Sequence, residues 1–266
     1  MNRREFIAVS AMAGLTLAGS SSLKAADPAA KQILELRLYT FKNLDQQKAY
    51  DEFLAKVEIP TLNGLGIKPV GVFKMLKADN DKLLKEDSPS LYVLLPYPSA
   101  ELLLSLPQKL AADEQYQKAG ESVIKSATKT PAFQRYESQL LLAFDQCPNV
   151  ETPTTAPGRL MQLRIYESHN PDRAKMKIHM FNEGGEIALF RKTGLNPVFF
   201  GQSIAGTKLP NLTYMVAFDN KAAQDKAWAT FGAHPDWKKM SSDPIYKDTV
   251  SNITNLVLRP AESSQI

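Results

Sequence analysis

Stretches in which large apolar residues alternate with polar ones recur along the chain and predict β-strands. The first runs over residues 34–39, and a second with the same character runs over 161–166. Leu34, Leu36 and Leu38 share one face of the first strand, because successive side chains of a strand point to opposite faces. The polar residues between them share the other face, so the two sides of the sheet have different characters.

Each of these strands is followed by about 18 residues of helical pattern, a usual length for a globular helix. We expect Asp45 and Asp172 to cap the two helices, and Gly66 and Gly194 to end them. A Pro-Val strand and a hairpin come next in both places. The remaining predicted elements are the hairpin strands 91–97 and 212–218, second helices that begin after 98–99 and 219–220, and last strands at 138–144 and 255–258.

The two halves of the chain match position by position, which indicates an internal duplication. Leu34 and Met161 open the match at an offset of 127. The register continues at an offset of 128 for Glu58 and Glu186, and it resumes at 121 for Leu91 and Leu212. Three matching blocks in the same order favour duplication over chance similarity.

The order of elements in each copy, βαββαβ, is that of the ferredoxin-like unit. The sequence therefore predicts an α+β fold with two tandem ferredoxin-like repeats over 30–146 and 159–266, joined by a Pro- and Thr-rich linker at 147–158. A four-stranded sheet with helices on one face leaves the other face bare. Two such sheets can cover each other, so we expect a barrel within one chain.

The segment 1–26 has the organisation of a bacterial export signal. Arg3 and Arg4 precede an apolar run over 8–19, and small residues lead to a predicted cleavage site near Ala25 or Ala26. The arginine pair followed by Glu-Phe-Ile resembles a twin-arginine signal, with an ordinary secretion signal as the alternative. Either signal predicts a periplasmic or secreted protein, and no later segment is long and apolar enough to anchor it.

Composition excludes several other classes of protein. Apolar residues make up 44% of the chain and charged residues 23%, as in a globular protein. The net charge of +4 falls to +2 without the segment 1–26, too small an excess for a nucleic-acid-binding protein. Cys147 is the single cysteine, which excludes an intrachain disulfide and a cysteine-rich metal cluster. We predict no bound cofactor and no metal site.

Four segments of the second repeat resemble the NIPSNAP family. They are the opening strand Leu-Arg-x-Tyr at 163–166, Gly-Leu-Asn-Pro-Val at 194–198, Leu-Thr-Tyr-Met-Val-Ala-Phe at 212–218 and His-Pro-Asp-Trp at 234–237. The resemblance spans 159–260, with a degenerate copy over 32–145. It implies a dimeric α/β-barrel fold with both halves in one polypeptide, and it implies no defined reaction. Family members often have an arginine and an aromatic residue where this chain has Gln224 and Val216, so those contacts are not carried over.

Candidate ligand-binding residues lie on the two opening strands. If the leucines face the helices, then Arg37, Tyr39, Arg164 and Tyr166 face the barrel interior, where a guanidinium needs an anionic partner. That partner is either a bound anion held by the arginine fork or an internal residue. The internal candidates are Glu35, Glu58, Gln162 and Glu186.

A second candidate is a stripe of titratable residues on the first helix of repeat two. His179, Glu183 and Glu186 are spaced i, i+4 and i+7, which suits a metal or an acid–base pair as well as a solvated helix face. Repeat one has Glu52, Lys56 and Glu58 there, which favours the solvated face. The full set of candidate ligand residues is Arg164, Tyr166, Glu186, Arg37, Tyr39 and His179.

These residues favour an exported protein that binds a small anionic or aromatic molecule, with its site near Arg164, Tyr166 and Glu186. One alternative is an enzyme like the cofactor-free or haem-using oxygenases and isomerases with dimeric α/β barrels; haem would need a histidine such as His179 in the cavity. Another is a scaffold that assembles with itself. A small-molecule ligand and a homo-oligomeric partner are therefore both expected, without nucleic acid.

Overall fold

Eight antiparallel strands close into one barrel in the computed structural model, which describes residues 31–266. The strands lie around the barrel in the order β1-β3-β2-β8-β5-β7-β6-β4, so each repeat contributes one continuous half. This arrangement confirms the predicted α+β barrel. The strands are β1 (Ile33–Thr40), β2 (Gly71–Lys74), β3 (Ser90–Tyr97), β4 (Arg135–Ala143), β5 (Leu160–Glu167), β6 (Asn196–Ala205), β7 (Asn211–Phe218) and β8 (Asn252–Pro260). The predicted export signal lies outside the described residues.

Helices cover the outer face of each half-barrel. In repeat one they are α1 (Leu44–Phe53), α2 (Ile59–Gly64), α3 (Ala100–Ala112), α4 (Glu114–Ala119) and α5 (Glu121–Ile124). In repeat two they are α6 (Pro171–Asn182), α7 (Glu186–Thr193), α8 (Lys221–Ala233) and α9 (Pro235–Ser242). No helix in residues 31–266 combines the length and the apolar character needed to cross a membrane.

Asparagines, and not the predicted aspartates, cap the first helix of each repeat. The side chain of Asn43 accepts a hydrogen bond from the backbone N–H of Gln46, and Asn170 does the same for Arg173. Asp45 and Asp172 lie in the first turn instead, where a negative charge is favourable near the helix N-terminus.

The first helical stretch of each repeat is interrupted, which corrects the prediction of one continuous helix. In repeat one a π-helical turn, Leu54–Glu58, separates α1 from α2. In repeat two α6 ends at Asn182, and α7 begins after Gly185, whose positive φ of 86° is readily available to glycine. The extra residue of repeat two, inferred from the offset change between 127 and 128, falls in this region.

The barrel interior is apolar, so the predicted orientation of β1 and β5 was wrong. Leu34 and Leu36 point inward, while Arg37, Tyr39, Arg164 and Tyr166 lie on the outer face under or beside the helices. Apolar side chains fill most of the interior of this closed eight-stranded barrel, whereas the outer face lies at the edge of water, where a guanidinium can be hydrated. The interior cluster is Leu34, Leu36, Phe73, Leu94, Leu141, Ala143, Met161, Leu163, Val198, Phe199, Met215, Ala217, Leu258 and Ile266.

The contact between β2 and β8 is short and depends on side chains. β2 pairs with β8 at two positions, Phe73 with Pro260 and Lys74 with Arg259. Further along β8, the amide of Asn80 donates to the carbonyl of Val257 (2.8 Å) and accepts from its N–H (3.0 Å). This side chain therefore takes the place of a neighbouring strand where β2 has ended.

Candidate functional site

Arg37 is fully engaged by carboxylates on the outer face of repeat one. Its Nε and Nη2 donate to the two carboxylate oxygens of Glu35, at 2.8 and 2.9 Å. Its Nη1 lies 3.7 Å from Glu58 and donates to the Tyr39 hydroxyl at 3.3 Å. Glu35 also accepts hydrogen bonds from Tyr97 (2.8 Å) and Ser138 (2.7 Å). Arg37 is therefore the cation of a closed internal network.

The pKa values of the two carboxylates in this network are shifted in opposite directions. Burial by itself raises the pKa of Glu35, but the hydrogen bonds and charge of Arg37, helped by Ser138 and Tyr97, outweigh it and lower the pKa. Burial raises the pKa of Glu58, and the charge of Arg37 offsets this only in part. Arg37 thus stabilises the ionised form of Glu35 far more than that of Glu58.

Arg164 occupies the equivalent position in repeat two and has no carboxylate partner. Among residues 31–266, none forms a hydrogen bond or an ion pair with its guanidinium, and its Nε is buried without a partner. The guanidinium carbon lies 4.9 Å from the ring centre of Trp228 and 5.1 Å from that of Tyr166. Cation–π contact therefore holds a half-buried arginine whose hydrogen-bond donors are unused.

The difference arises from Gln162, which replaces Glu35. The Gln162 carbonyl accepts from Trp228 Nε1 (2.6 Å) and from the Gln224 amide (3.0 Å), and its own amide donates to Asn255 (2.7 Å). A neutral side chain that is fully occupied in this way gives Arg164 no charge to pair with. Gln162 also places Trp228 against the guanidinium.

Glu186, the counterpart of Glu58, is paired with a different cation. Lys177 Nζ lies 2.8 Å from its carboxylate, and both side chains are at most 5% exposed. Burial raises the pKa of Glu186, with Lys177 and then Arg164 acting against the rise. Lys177 also lies 4.5 Å from the ring centre of Phe181. The lysine therefore neutralises the carboxylate that Arg164 was expected to use.

Sequence reasoning missed three contributors to this site: Lys177, Trp228 and Tyr214. In the register that aligns Leu34 with Met161, Lys177 corresponds to Tyr50, so a charge replaces an aromatic ring at an equivalent position. That change could have been found by aligning the repeats. The Tyr214 hydroxyl lies 3.1 Å from that of Tyr166, and this contact follows from strand register, which the sequence did not give.

The predicted stripe of titratable residues does not form one site. The interruption between α6 and α7 leaves Glu183 exposed and Glu186 buried. His179 Nδ1 lies 3.1 Å from the Tyr246 hydroxyl, in another part of repeat two. Chain geometry therefore separates side chains that regular helical spacing would align.

The Arg164 site is shallow and carries no cluster of metal ligands. Within the part of the chain that the structure describes, no three His, Cys, Asp or Glu residues come close enough to hold a metal ion. Arg164 does not line the cavities of about 160 to 470 Å³ found elsewhere on the protein. The chemistry available here is recognition of a negative charge beside aromatic rings.

Two solved structures resemble this chain over most of its length. A "putative monooxygenase" from Fusobacterium nucleatum aligns with 87% of this chain and 93% of its own, with a TM-score of 0.56 and 9% identity. A "putative monooxygenase" from Lactobacillus acidophilus aligns with 86% and 94%, with a TM-score of 0.54 and 12% identity. At such identities the likeness shows a common fold. No curated protein has a significantly similar sequence.

The second repeat matches a family model. Residues 161–265 fit the model of the NIPSNAP family. An uncharacterized NIPSNAP-like domain protein from Burkholderia xenovorans is 19% identical and covers 41% of this chain and 90% of its own length, with a TM-score of 0.35. The matched residues include most of β5 with Arg164, the helices α6 to α9 and β8. The match to the NIPSNAP family model therefore lies within the second repeat.

Proposed function

We propose that this protein binds a small anionic molecule with an aromatic or apolar body at Arg164. The observation that carries the proposal is the contrast between two equivalent arginines: Arg37 is paired with two carboxylates, and Arg164 with none in the described chain. An arginine without an internal anion is prepared for an external one, since its planar fork matches a carboxylate.

The surroundings of Arg164 support an anion that carries a ring. Trp228 and Tyr166 place two aromatic rings beside the guanidinium, within cation–π distance. Arg164 pairs across the strands with Asn255, and the neighbouring outward residue of β8, Ile253, is 44% exposed. An aromatic or branched body could cover this isoleucine while its carboxylate meets the arginine. Because the site is shallow, we expect a dissociation constant on the order of 1 mM for a minimal ligand.

Benzoate is a suitable probe, with neutral benzamide as its matched control. Calorimetric titration of the protein lacking residues 1–26, the predicted export signal, should detect benzoate binding and no comparable benzamide binding. Arg164→Met should abolish the benzoate signal, and Arg164→Lys should weaken it because a lysine cannot form the two parallel hydrogen bonds. Arg173→Met, which removes a partly exposed arginine from α6, should leave it unchanged.

A substitution at Gln162 tests whether the missing carboxylate is what leaves Arg164 available to a ligand. Gln162→Glu restores the carboxylate that repeat one has at Glu35, so it should occupy Arg164 internally and reduce benzoate binding at least tenfold. Benzoate binding that survives both Gln162→Glu and Arg164→Met would place the anion elsewhere and refute the proposal. Melting curves for each variant separate lost binding from lost folding.

We also propose that a twin-arginine signal exports the protein to the periplasm or beyond. The support is the Arg3-Arg4 pair before a weakly apolar run. Replacing both arginines with lysine keeps the charge but changes the guanidinium geometry. The precursor should then accumulate in the cytoplasm, as measured by cell fractionation. Normal export of the double variant would indicate the ordinary secretion route.

A further inference from the structure

One end of the barrel interior contains a cavity of about 160 Å³. The opposite end is filled: Ile266 lies in the interior cluster beside Phe73, and its main-chain oxygen accepts a hydrogen bond from Arg159. An eight-stranded barrel has an interior just wide enough to be filled by side chains or to hold one small ligand. This barrel is filled from the Ile266 end and incompletely filled at the other.

The apolar walls of this cavity, the barrel mouth, come from inward-facing positions near the ends of four strands. Leu38 on β1, Ile165 on β5, Leu256 on β8 and Tyr92 on β3 line it. Each is partly exposed, while the inward residues deeper in the barrel are buried. Several apolar side chains thus converge on a space that no other side chain of the described chain fills.

One wall of the mouth is polar and carries an unused acceptor. The Gln139 amide nitrogen, which has two hydrogens to donate, lies within hydrogen-bonding distance of Ser203 (2.5 Å), Thr213 (3.1 Å) and Asn211 (3.1 Å), all on β6 and β7. Asn211 Oδ1 can only accept, and the Asn211 amide nitrogen is held by the carbonyls of Thr207 and Lys208, so the Gln139 atom facing Asn211 Oδ1 is the nitrogen. The Gln139 carbonyl oxygen accepts no hydrogen bond from residues 31–266, and Gln139 lines the cavity. It can therefore accept a hydrogen bond from a hydroxyl group in the mouth.

The charges at the mouth disfavour an anion. Lys208, in the β6–β7 hairpin, donates to Thr254 (3.1 Å) and lies 3.7 Å from Glu167, so its charge is already paired. Glu137, exposed on the rim, adds a negative charge.

We propose that the barrel mouth binds a small neutral ring that carries one hydroxyl group, of which phenol is the simplest example. The volume agrees, since an apolar cavity of about 150 Å³ holds benzene. The apolar walls would contact the ring, and the hydroxyl would donate to Gln139. This site is independent of the one at Arg164, because Ile165 and its neighbour Arg164 point to opposite sides of the sheet.

NMR of methyl and indole groups in the protein lacking residues 1–26 tests where phenol binds. Titration with phenol should shift the methyl resonances of Leu38, Ile165 and Leu256, and leave the Trp228 indole resonance in place. If the Arg164 proposal holds, benzoate should shift the Trp228 indole resonance and leave the three methyl resonances in place. Either proposal can therefore fail while the other holds. The barrel-mouth site is refuted if phenol does not shift these methyl resonances, or if it shifts the Trp228 indole resonance by as much.

Two substitutions on β8 provide a matched pair. Leu256→Phe fills the mouth and should weaken phenol binding at least tenfold, while Ile253→Phe, on the outward face, should leave it unchanged. Unchanged binding in Leu256→Phe refutes the site, and if that variant does not fold, the methyl shifts of the parent protein decide. Toluene tests the hydrogen bond: an apolar cavity without a free acceptor prefers toluene because it leaves no hydroxyl unpaired. A preference for toluene above tenfold would refute the role of Gln139.

Discussion

Arg37 and Arg164 occupy matching positions in two copies of one unit, and the residue two places earlier decides what each can do. Glu35 turns Arg37 into part of a closed network, and Gln162 leaves Arg164 with two aromatic neighbours and unused donors. A single difference between a carboxylate and an amide thus separates a structural arginine from a candidate ligand-binding one.

The two arginines should differ sharply in their contribution to stability. Arg37→Met leaves two buried carboxylates without their cation, so it should cost roughly 3–5 kcal/mol of unfolding free energy. Arg164→Met loses cation–π contact with two rings, and we expect a cost of about 1 kcal/mol. Urea denaturation of both variants measures the difference. A loss at Arg164 as large as at Arg37 would mean that Arg164 is structural.

Glu58 should make folding stability depend on pH. Its folded pKa is raised above the ordinary value of 4.5 by burial, so ionisation destabilises the folded state. That penalty is present above the raised pKa and disappears as the pH falls towards 4.5. The parent protein should therefore gain stability relative to Glu58→Gln between pH 7 and about pH 5. Denaturation at both pH values measures it, and a difference that does not change with pH would contradict the shift.

At the scale of elements, the interrupted first helix determines which titratable groups meet. The break between α6 and α7 turns Glu186 inward to Lys177 and leaves Glu183 outside. Gly184 is essential to the break, since a Cβ there would lie 2.6 Å from the Met180 carbonyl oxygen and 2.7 Å from the Tyr246 hydroxyl. Repeat one makes its interruption with a π-helical turn and has no glycine pair.

Alanine substitutions can measure how much this break matters. Gly184→Ala should destabilise the protein by roughly 1–3 kcal/mol, because the new methyl group collides with backbone. Gly64→Ala, in α2, meets no atom within 4 Å and should instead stabilise by about 0.4–1 kcal/mol. Thermal melts of the two variants provide the comparison. Equal effects would show that the break is not held by close packing.

At the scale of the whole molecule, the two repeats share one interior. The interior cluster takes residues from all eight strands, and the repeats meet along β4–β6 and β2–β8. Arg259 fixes the second of these contacts by pairing with Asp79 of the other repeat at 2.7 Å. Neither repeat can bury its inward sheet face by itself.

Residues 27–148 produced alone should therefore self-associate or fail to fold. The fragment exposes inward residues such as Leu34, Leu36 and Phe73, which form a patch of several hundred Å². Sedimentation and near-UV circular dichroism measure both outcomes. A well-folded monomeric fragment would show that the barrel is not needed for stability.

The sequence by itself determined the repeat, the order of elements and the barrel. These follow from local periodicity, from capping and glycine signals, and from the need of two bare sheets to cover each other. The caps were misplaced by two residues, because an asparagine and an aspartate in one short segment are both good cap residues. The residues Arg37, Tyr39, Arg164 and Tyr166 were correctly grouped on one face of their strands.

Only the tertiary structure decided which face that is and what each arginine meets. Alternation defines two faces of a strand, but both faces are covered here, one by the opposite half of the barrel and one by helices. A leucine face suits either cover, so periodicity alone cannot choose between them. Glu186 pairs with Lys177 because the interrupted helix directs both side chains to the same place, and this pairing leaves Arg164 without a carboxylate partner. The direction of those side chains is set by packing between elements that are distant in sequence.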